Sequence, residues 1–194
     1  KHNIMLGNKI LFAPSWIKTG GGLLEEYSIK IIKKIIQENE IIFRPHPQSL
    51  AKSKKVINSI NKEFKENKNY VFNKNIFDTK SLFNSSLLIT DNGGMALEYS
   101  LIFKKPVIYI DFKEKVHNEE YKELDLEPIE DSFKKKFGNI IKIDQLDNLN
   151  IIIKNIIKKN KKFHQEQQNF INNNQIIFDK SSSNIAEIIN KYLK

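Results

Sequence analysis

The chain has 194 residues, with 32 Lys and Arg against 23 Asp and Glu for a formal charge of +9, and no cysteine. This length supports one full-sized domain with a continuous core and is too short for two. The lack of cysteine excludes disulfides, thiolate metal sites and a cysteine nucleophile, and no apolar run approaches the roughly 18 residues that span a bilayer. The positive charge suits phosphate groups, anionic lipid or nucleic acid without choosing among them, and the lysines are spread along the whole chain, as on a solvated surface.

Short apolar runs alternate with longer segments of helical period, the signature of βαβ units around a parallel sheet. An α/β open parallel sheet of about six strands, with helices on both faces, is therefore expected. Strands are predicted at Lys9–Ala13, Ile41–Arg44, Tyr70–Asn73, Leu87–Thr90, Val107–Ile110 and Ile140–Ile143, several of them continuous Ile/Leu/Val/Phe runs that suit burial on both faces. Leu24, Tyr27, Ile31 and Ile35 recur at helical spacing between the first two strands, as do Leu149, Ile152, Ile153, Ile156 and Ile157 further on. The set Ile185, Ile188, Ile189, Tyr192 and Leu193 has the same period, and all three stripes are assigned to the core. The charged stretch 111–137 reads as a long loop with one short helix around Glu119–Leu124, and Gln165–Gln175 as a polar helix.

Ligands of open parallel sheets bind where the loops leave the carboxyl ends of the strands. Four such loops carry chemistry. After the first strand come Lys18 and the glycines Gly20, Gly21 and Gly22, which lead into a helix whose free N–H groups favour phosphate. After the second, Arg44-Pro45-His46-Pro47 holds an imidazole between two prolines, beside a guanidinium able to fork onto phosphate. A third loop, Thr90-Asp91-Asn92-Gly93-Gly94, opens a helix bearing Glu98. There the glycines admit a diphosphate, Asp91 orients the loop or caps N–H groups, since like charges would repel at contact, and Glu98 accepts from ribose hydroxyls. In the fourth, Asn75–Ser81, Phe77 or Ile76 is placed to face a base.

Taken in order, Ile10-Leu11-Phe12-Ala13-Pro14-Ser15-Trp16, Phe43-Arg44-Pro45-His46-Pro47, Asp78 to Leu82, Leu88-Ile89-Thr90-Asp91, and Leu97-Glu98-Tyr99 followed by Lys105-Pro106-Val107-Ile108 resemble the C-terminal half of the CDP-glycerol glycerophosphotransferase family, the teichoic-acid primases and polymerases. The resemblance covers about residues 9–112. It implies the Rossmann-like C-terminal domain of a GT-B transferase: one domain over 1–194, excised from a longer two-domain enzyme whose N-terminal half supplies much of the acceptor site. The chain's opening on Lys1, with a strand within about ten residues, fits that expectation.

In that family an acceptor hydroxyl attacks the β-phosphorus of CDP-glycerol and CMP leaves. The resemblance gives His46 and Arg44 to the catalytic phosphate region, Lys18, Gly20, Gly21, Phe77, Asp91, Asn92, Gly93, Gly94 and Glu98 to the donor, and no residue to a metal. It implies no cofactor, since the nucleotide-linked donor is a substrate. The implied partners are a polymer or lipid-linked acceptor and the N-terminal half, with no nucleic acid, and the implied location is cytoplasmic with peripheral contact at the inner face of the cell membrane.

Two departures bear on the donor. Asn92, Gly93 and Gly94 stand where the family has an aromatic and serines, and Trp16-Ile17-Lys18 where an arginine is common, so Lys18 offers a point charge without a fork. A nucleotide-sugar glycosyltransferase or epimerase-like domain is the nearest alternative. A basic lipid- or nucleic-acid-binding module is the alternative of another class, although no interleaving of basic and aromatic residues supports it. Asp125-Leu126-Glu127 mimics an acidic metal triplet but sits in the charged loop and reads as solvated, and His117 and His164 are placed on the surface.

Overall fold

Six strands, β1 (Lys9–Phe12), β2 (Ile41–Phe43), β3 (Tyr70–Phe72), β4 (Ser85–Thr90), β5 (Val107–Asp111) and β6 (Asn139–Lys142), form one sheet in the order β3-β2-β1-β4-β5-β6. The structure is a computed structural model that describes residues 8–18, 20–75, 77–113, 120, 123, 127–173 and 180–193. Every pairing is parallel. The strands therefore fall within a residue or two of their predicted bounds, because runs buried on both faces leave a continuous apolar signal.

Alternation along the strands divides the core between the two faces. On one face Ile10 and Phe12 of β1, Ile41 and Phe43 of β2, Leu87 and Ile89 of β4 and Ile108 and Ile110 of β5 pack against helices α1 (Leu23–Ile35), α3 (Lys54–Phe64) and α7 (Leu149–Lys158). On the other, Leu11, Ile42, Leu88, Val107 and Tyr109 meet Ala96, Tyr99 and Phe103 of α5 (Gly94–Phe103). Each such Ile, Leu or Phe removed from water contributes ~1.5–3 kcal/mol, so the doubly covered strands are the main source of stability. A smaller cluster of Leu101, Phe133, Phe137 and Ile171 joins α5 to α6 (Ile129–Phe137) and α8 (Asn160–Asn173).

Two short helices, α2 (Pro47–Lys52) and α4 (Lys80–Asn84), follow β2 and β3. α6 lies inside the stretch expected to be a loop, whereas the short helix expected at Glu119–Leu124 falls almost wholly outside the described residues. The polar helix expected around Gln165–Gln175 is present as α8.

The last stripe corrects the sequence reading. α9 (Ser181–Tyr192) forms, but Ile185, Ile188, Ile189, Tyr192 and Leu193 are all more than half exposed, and the helix has no buried residue. Its period is that of an amphipathic helix, yet no element among the described residues covers its apolar face. No described helix is long and apolar enough to cross a membrane.

Candidate functional site

The strand order reverses between β1 and β4: the chain runs outward from β1 through β2 to β3, then returns across β1 to lay down β4. Loops leaving two such strands diverge and leave a crevice at the carboxyl edge. A cavity of about 340 Å³ opens there, lined by Ala13, Pro14 and Ser15 after β1, Arg44, His46 and Pro47 after β2, and Thr90 to Glu98 after β4 (omitting Asp91, Ala96 and Leu97).

Its two walls are pinned together. The Ser15 backbone N–H donates to one oxygen of the Asp91 carboxylate at 2.7 Å and the Ser15 hydroxyl to the other at 2.9 Å. The Thr90 hydroxyl donates to the Ala13 carbonyl at 2.7 Å. Ser15 and Asp91 are buried, so these charge-assisted bonds are shielded from competing water. Asp91 thus spends both oxygens on the neighbouring loop and orients it.

The floor is the start of α5. Gly93, its N-cap residue, has φ +132° and ψ 161°, a conformation that only glycine enters without strain. No side chain among the described residues caps this helix, and no carboxylate stands in its first turn. A Cβ placed on Gly94 would meet nothing within 4 Å, so the backbone there faces open space. An uncapped, acid-free helix start of this kind directs N–H groups and a positive partial charge at whatever enters. Asn92 turns its side-chain oxygen onto the Gly93 N–H at 3.1 Å, and Glu98 stands exposed one turn further along.

The other glycine-rich helix start differs in kind. Gly20 and Gly21 have φ of +73° and +68°. The Glu25 carboxylate accepts the Gly22 N–H at 3.1 Å, and Glu25 and Glu26 both stand in the first turn of α1. Lys113 Nζ donates to the Gly21 carbonyl at 2.8 Å and pairs with Glu26 at 2.7 Å. Two carboxylates already answer this helix dipole, so the end is poorly suited to phosphate. Gly20, Gly21 and the exposed Lys18 do not line the cavity, and neither does Phe77, which is 87% exposed.

His46 is the N-cap of α2, and its Nδ1 accepts the Gln48 N–H at 3.1 Å. With Nδ1 acting as acceptor, the neutral ring carries its proton on Nε2. Pro47 at the first helical position fixes the backbone beside it. Arg44 is buried, and its Nη1 donates to the Asp78 carbonyl and, at 2.6 Å, to the Ser81 hydroxyl. Burial lowers the pKa of this guanidinium, while the Asp78 carboxylate acts in the opposite sense.

The cavity therefore gathers Arg44, His46, Asn92, Gly93, Gly94 and Glu98 from the expected residues, with Asp91 just behind. Ser15, Thr90 and Met95 were not foreseen. The pairing of Ser15 with Asp91 is non-local, and its only signal was a polar residue just beyond each of two buried strands. No group of three or more His, Asp or Glu suited to a metal occurs among the described residues. Ile76, His117, Asp125 and Leu126 lie outside those residues, as does the side chain of His164.

No protein-family model matches the chain, and no curated protein matches it. Among solved structures, it is similar to the C-terminal domain of a glycosyl transferase group 1 family protein from Francisella tularensis, with a TM-score of 0.50 and 15% identity, covering 89% of each chain. It is also similar to the UDP-GlcNAc 2-epimerase of Methanocaldococcus jannaschii, solved with UDP-GlcNAc and UDP, with a TM-score of 0.50 and 20% identity, covering 80% of this chain. The match spans only 40% of the epimerase. At these identities the likeness is one of fold: a Rossmann-like, six-stranded parallel α/β domain of the GT-B C-terminal type.

Proposed function

We propose that this chain is the nucleotide-donor-binding domain of a transferase that moves glycerol phosphate, or a related polyol or sugar phosphate, from a CDP-linked donor to a surface-polysaccharide or teichoic-acid-like acceptor, with release of CMP. The observation that carries the reading is the cavity at the strand-order reversal, where the open start of α5 faces His46 across the loops of β1 and β2. The family phrases found in the sequence supply the cytidine and the glycerol. Turnover in this reading needs a further N-terminal half that brings the acceptor.

The diphosphate sits against Gly93 and Gly94, where the backbone amides of α5 from Gly94 onward replace hydroxyl donors, the Gly93 N–H being held by Asn92, and Glu98 takes the ribose. As the acceptor hydroxyl attacks the β-phosphorus and the bond to CMP breaks, the hydroxyl proton passes to the departing CMP phosphate, and negative charge grows on the phosphoryl oxygens in the transition state. His46, with its proton on Nε2 and Nδ1 engaged by Gln48, acts as a donor to that charge rather than as a base. No metal and no cofactor enters this scheme; the donor is a substrate, and the domain works from the cytoplasmic face of the membrane.

Calorimetric titration with CMP, CDP, UDP and ADP tests the reading. Cytidine nucleotides are expected to bind and ADP not to. Gly94→Val is expected to abolish binding at unchanged stability, because its side chain enters open cavity space. Gly93→Ala is expected to lower stability by about 1–2 kcal/mol through its positive φ. A uridine preference would move the function to a nucleotide-sugar transferase or epimerase-like domain, the reading to which the fold likeness to the UDP-bound epimerase lends weight. If none of the four nucleotides bound, the donor-domain reading would be lost.

A further inference from the structure

We infer that the carboxyl edge of β2 and β3, beside the cavity, is a landing surface for a polyanionic acceptor, a linear chain with a phosphodiester in each repeat. This rests on the transferase reading given above and goes beyond it, since that reading leaves the acceptor to another part of the enzyme.

Five lysines carry the inference. Lys52 ends α2, Lys54 and Lys55 open α3, Lys74 follows β3 and Lys80 opens α4, and all five are exposed. The joint between α2 and α3 is held at this edge, because the Ser53 hydroxyl donates to Glu25, in the first turn of α1, at 2.9 Å. α4 is held there as well, by Arg44, which lines the cavity and donates to the Ser81 hydroxyl. α3 packs on one face of the sheet and Leu82 of α4 on the other, so the lysines flank the strand ends from both sides.

No ion pair among the described residues engages any of the five. The carboxylates beside them are already spent: Glu25 accepts from Gly22 and Ser53, and Asp78 from the Lys80 N–H and the Asn73 amide. At the opposite edge of the sheet, by contrast, Lys9 pairs with Glu40 at 2.7 Å and Lys33 with Glu63 at 2.9 Å. Lys54 and Lys55 also sit at the positive end of the α3 dipole, where cations are disfavoured and where no acid offsets them. Stability therefore does not account for their placement, and the unpaired set raises a positive potential along this edge.

The sign of the edge reverses past the cavity. Over β4 and β5 stand Glu98, Asp111, Glu130 and Asp131, and the cations there are engaged, Lys113 by Glu26 and Lys134 by Asp111. A flat anionic membrane would press on both halves, whereas a narrow chain can follow the basic half alone. His46, the N-cap of α2, stands where that half meets the cavity, so a chain lying on the lysines brings its end to the donor phosphate. A single phosphate group reaches one or two of these lysines; charge repeated along a chain engages the set and releases counterions at each.

The test is titration of the full chain with an oligo(glycerol phosphate), with oligouridylate of equal charge and with CDP, alongside co-sedimentation with phosphatidylglycerol vesicles. The chains compared are wild type, the triple variant Lys52→Gln, Lys54→Gln, Lys55→Gln, the double variant Lys74→Gln, Lys80→Gln, and a control. The control, Lys62→Gln, Lys68→Gln, Lys158→Gln, removes three charges from exposed positions outside this edge. The triple and double variants are expected to lose about tenfold or more in affinity for oligo(glycerol phosphate) and to flatten its salt dependence, while the control stays within about threefold of wild type. Equal loss in the control would assign the binding to net charge and overturn the proposal. Tighter binding of oligouridylate would make the edge an RNA surface, and vesicle binding that the triple variant abolishes would make it a membrane surface; either result overturns the proposal. Wild type that binds CDP but no oligo(glycerol phosphate) sinks this proposal alone, whereas wild type that binds neither sinks the donor reading with it.

Discussion

Lys105 is a cation at 1% exposure whose ammonium donates to three backbone carbonyls, those of Leu82 at 3.0 Å, Phe83 at 2.7 Å and Ser85 at 2.6 Å. The rings of Tyr99 and Phe103 lie 5.9 and 5.7 Å from it. It closes the carboxyl end of α4 and the start of β4, so it is structural although its sequence neighbours drew attention as a family phrase. Lys105→Met leaves three carbonyls without a donor in a dry site, and a loss of about 3 kcal/mol in urea unfolding is expected. Burial pushes its pKa down from 10.5 to about 8. Below pH 8 both folded and unfolded chains hold the proton; between pH 8 and 10.5 the unfolded chain holds more of it, so stability owed to this group rises with pH there. The stability gap between wild type and Lys105→Met is accordingly expected to widen from pH 8 to 10, and a flat gap would place the native pKa at its ordinary value. The family phrase includes this lysine without giving it a role, because its partners are backbone carbonyls, which leave no trace in residue identity.

At the scale of elements, the contrast between helix starts stood in the residues but was not drawn from them, since both starts were read as phosphate sites, and the contrast between loop and helix was not legible. Both α1 and α5 follow glycines, but the pattern Gly22-x-x-Glu25 already announces a start that answers its own N–H groups, whereas Gly93 and Gly94 lead into Met95, Ala96 and Leu97 with no acid. The six strands and the stripes of α1 and α7 were readable because burial imposes their period. α6 was missed for the opposite reason: Phe133 and Phe137 are its named apolar anchors in a charged segment, too few for a periodic signal. The C-cap of α6 is tight, since a Cβ on Gly138 would lie 2.4 Å from the Lys134 carbonyl and 2.6 Å from the Tyr109 ring. Gly138→Ala is therefore expected to cost about 2 kcal/mol by forcing α6 away from β5, measured as a lower unfolding midpoint. The stripe of α9 was read correctly as amphipathic and wrongly as core, because period reports that a face is apolar and not what covers it.

For the whole molecule, fold class was set by local alternation, while the site depends on contacts that alternation does not encode. The clasp of Ser15 on Asp91 joins residues 76 apart, and it exists only because β4 inserts beside β1 rather than beside β3. That same order has a consequence for synthesis on the ribosome. When β1, β2 and β3 have emerged, one flank of β1 has no neighbour, and Ile10, Leu11 and Phe12, all fully buried in the finished protein, border it. Counted from β1, that flank waits some seventy residues for β4 to seal it. Unpaired apolar strand edges recruit other chains, so a chain stopped at residue 84 is expected to sediment as aggregate where one that extends through β5 stays in the supernatant. The seam at which the cavity opens is thus a joint that stays open until the chain has passed β3, and the one through which an unfinished copy would stick to its neighbours.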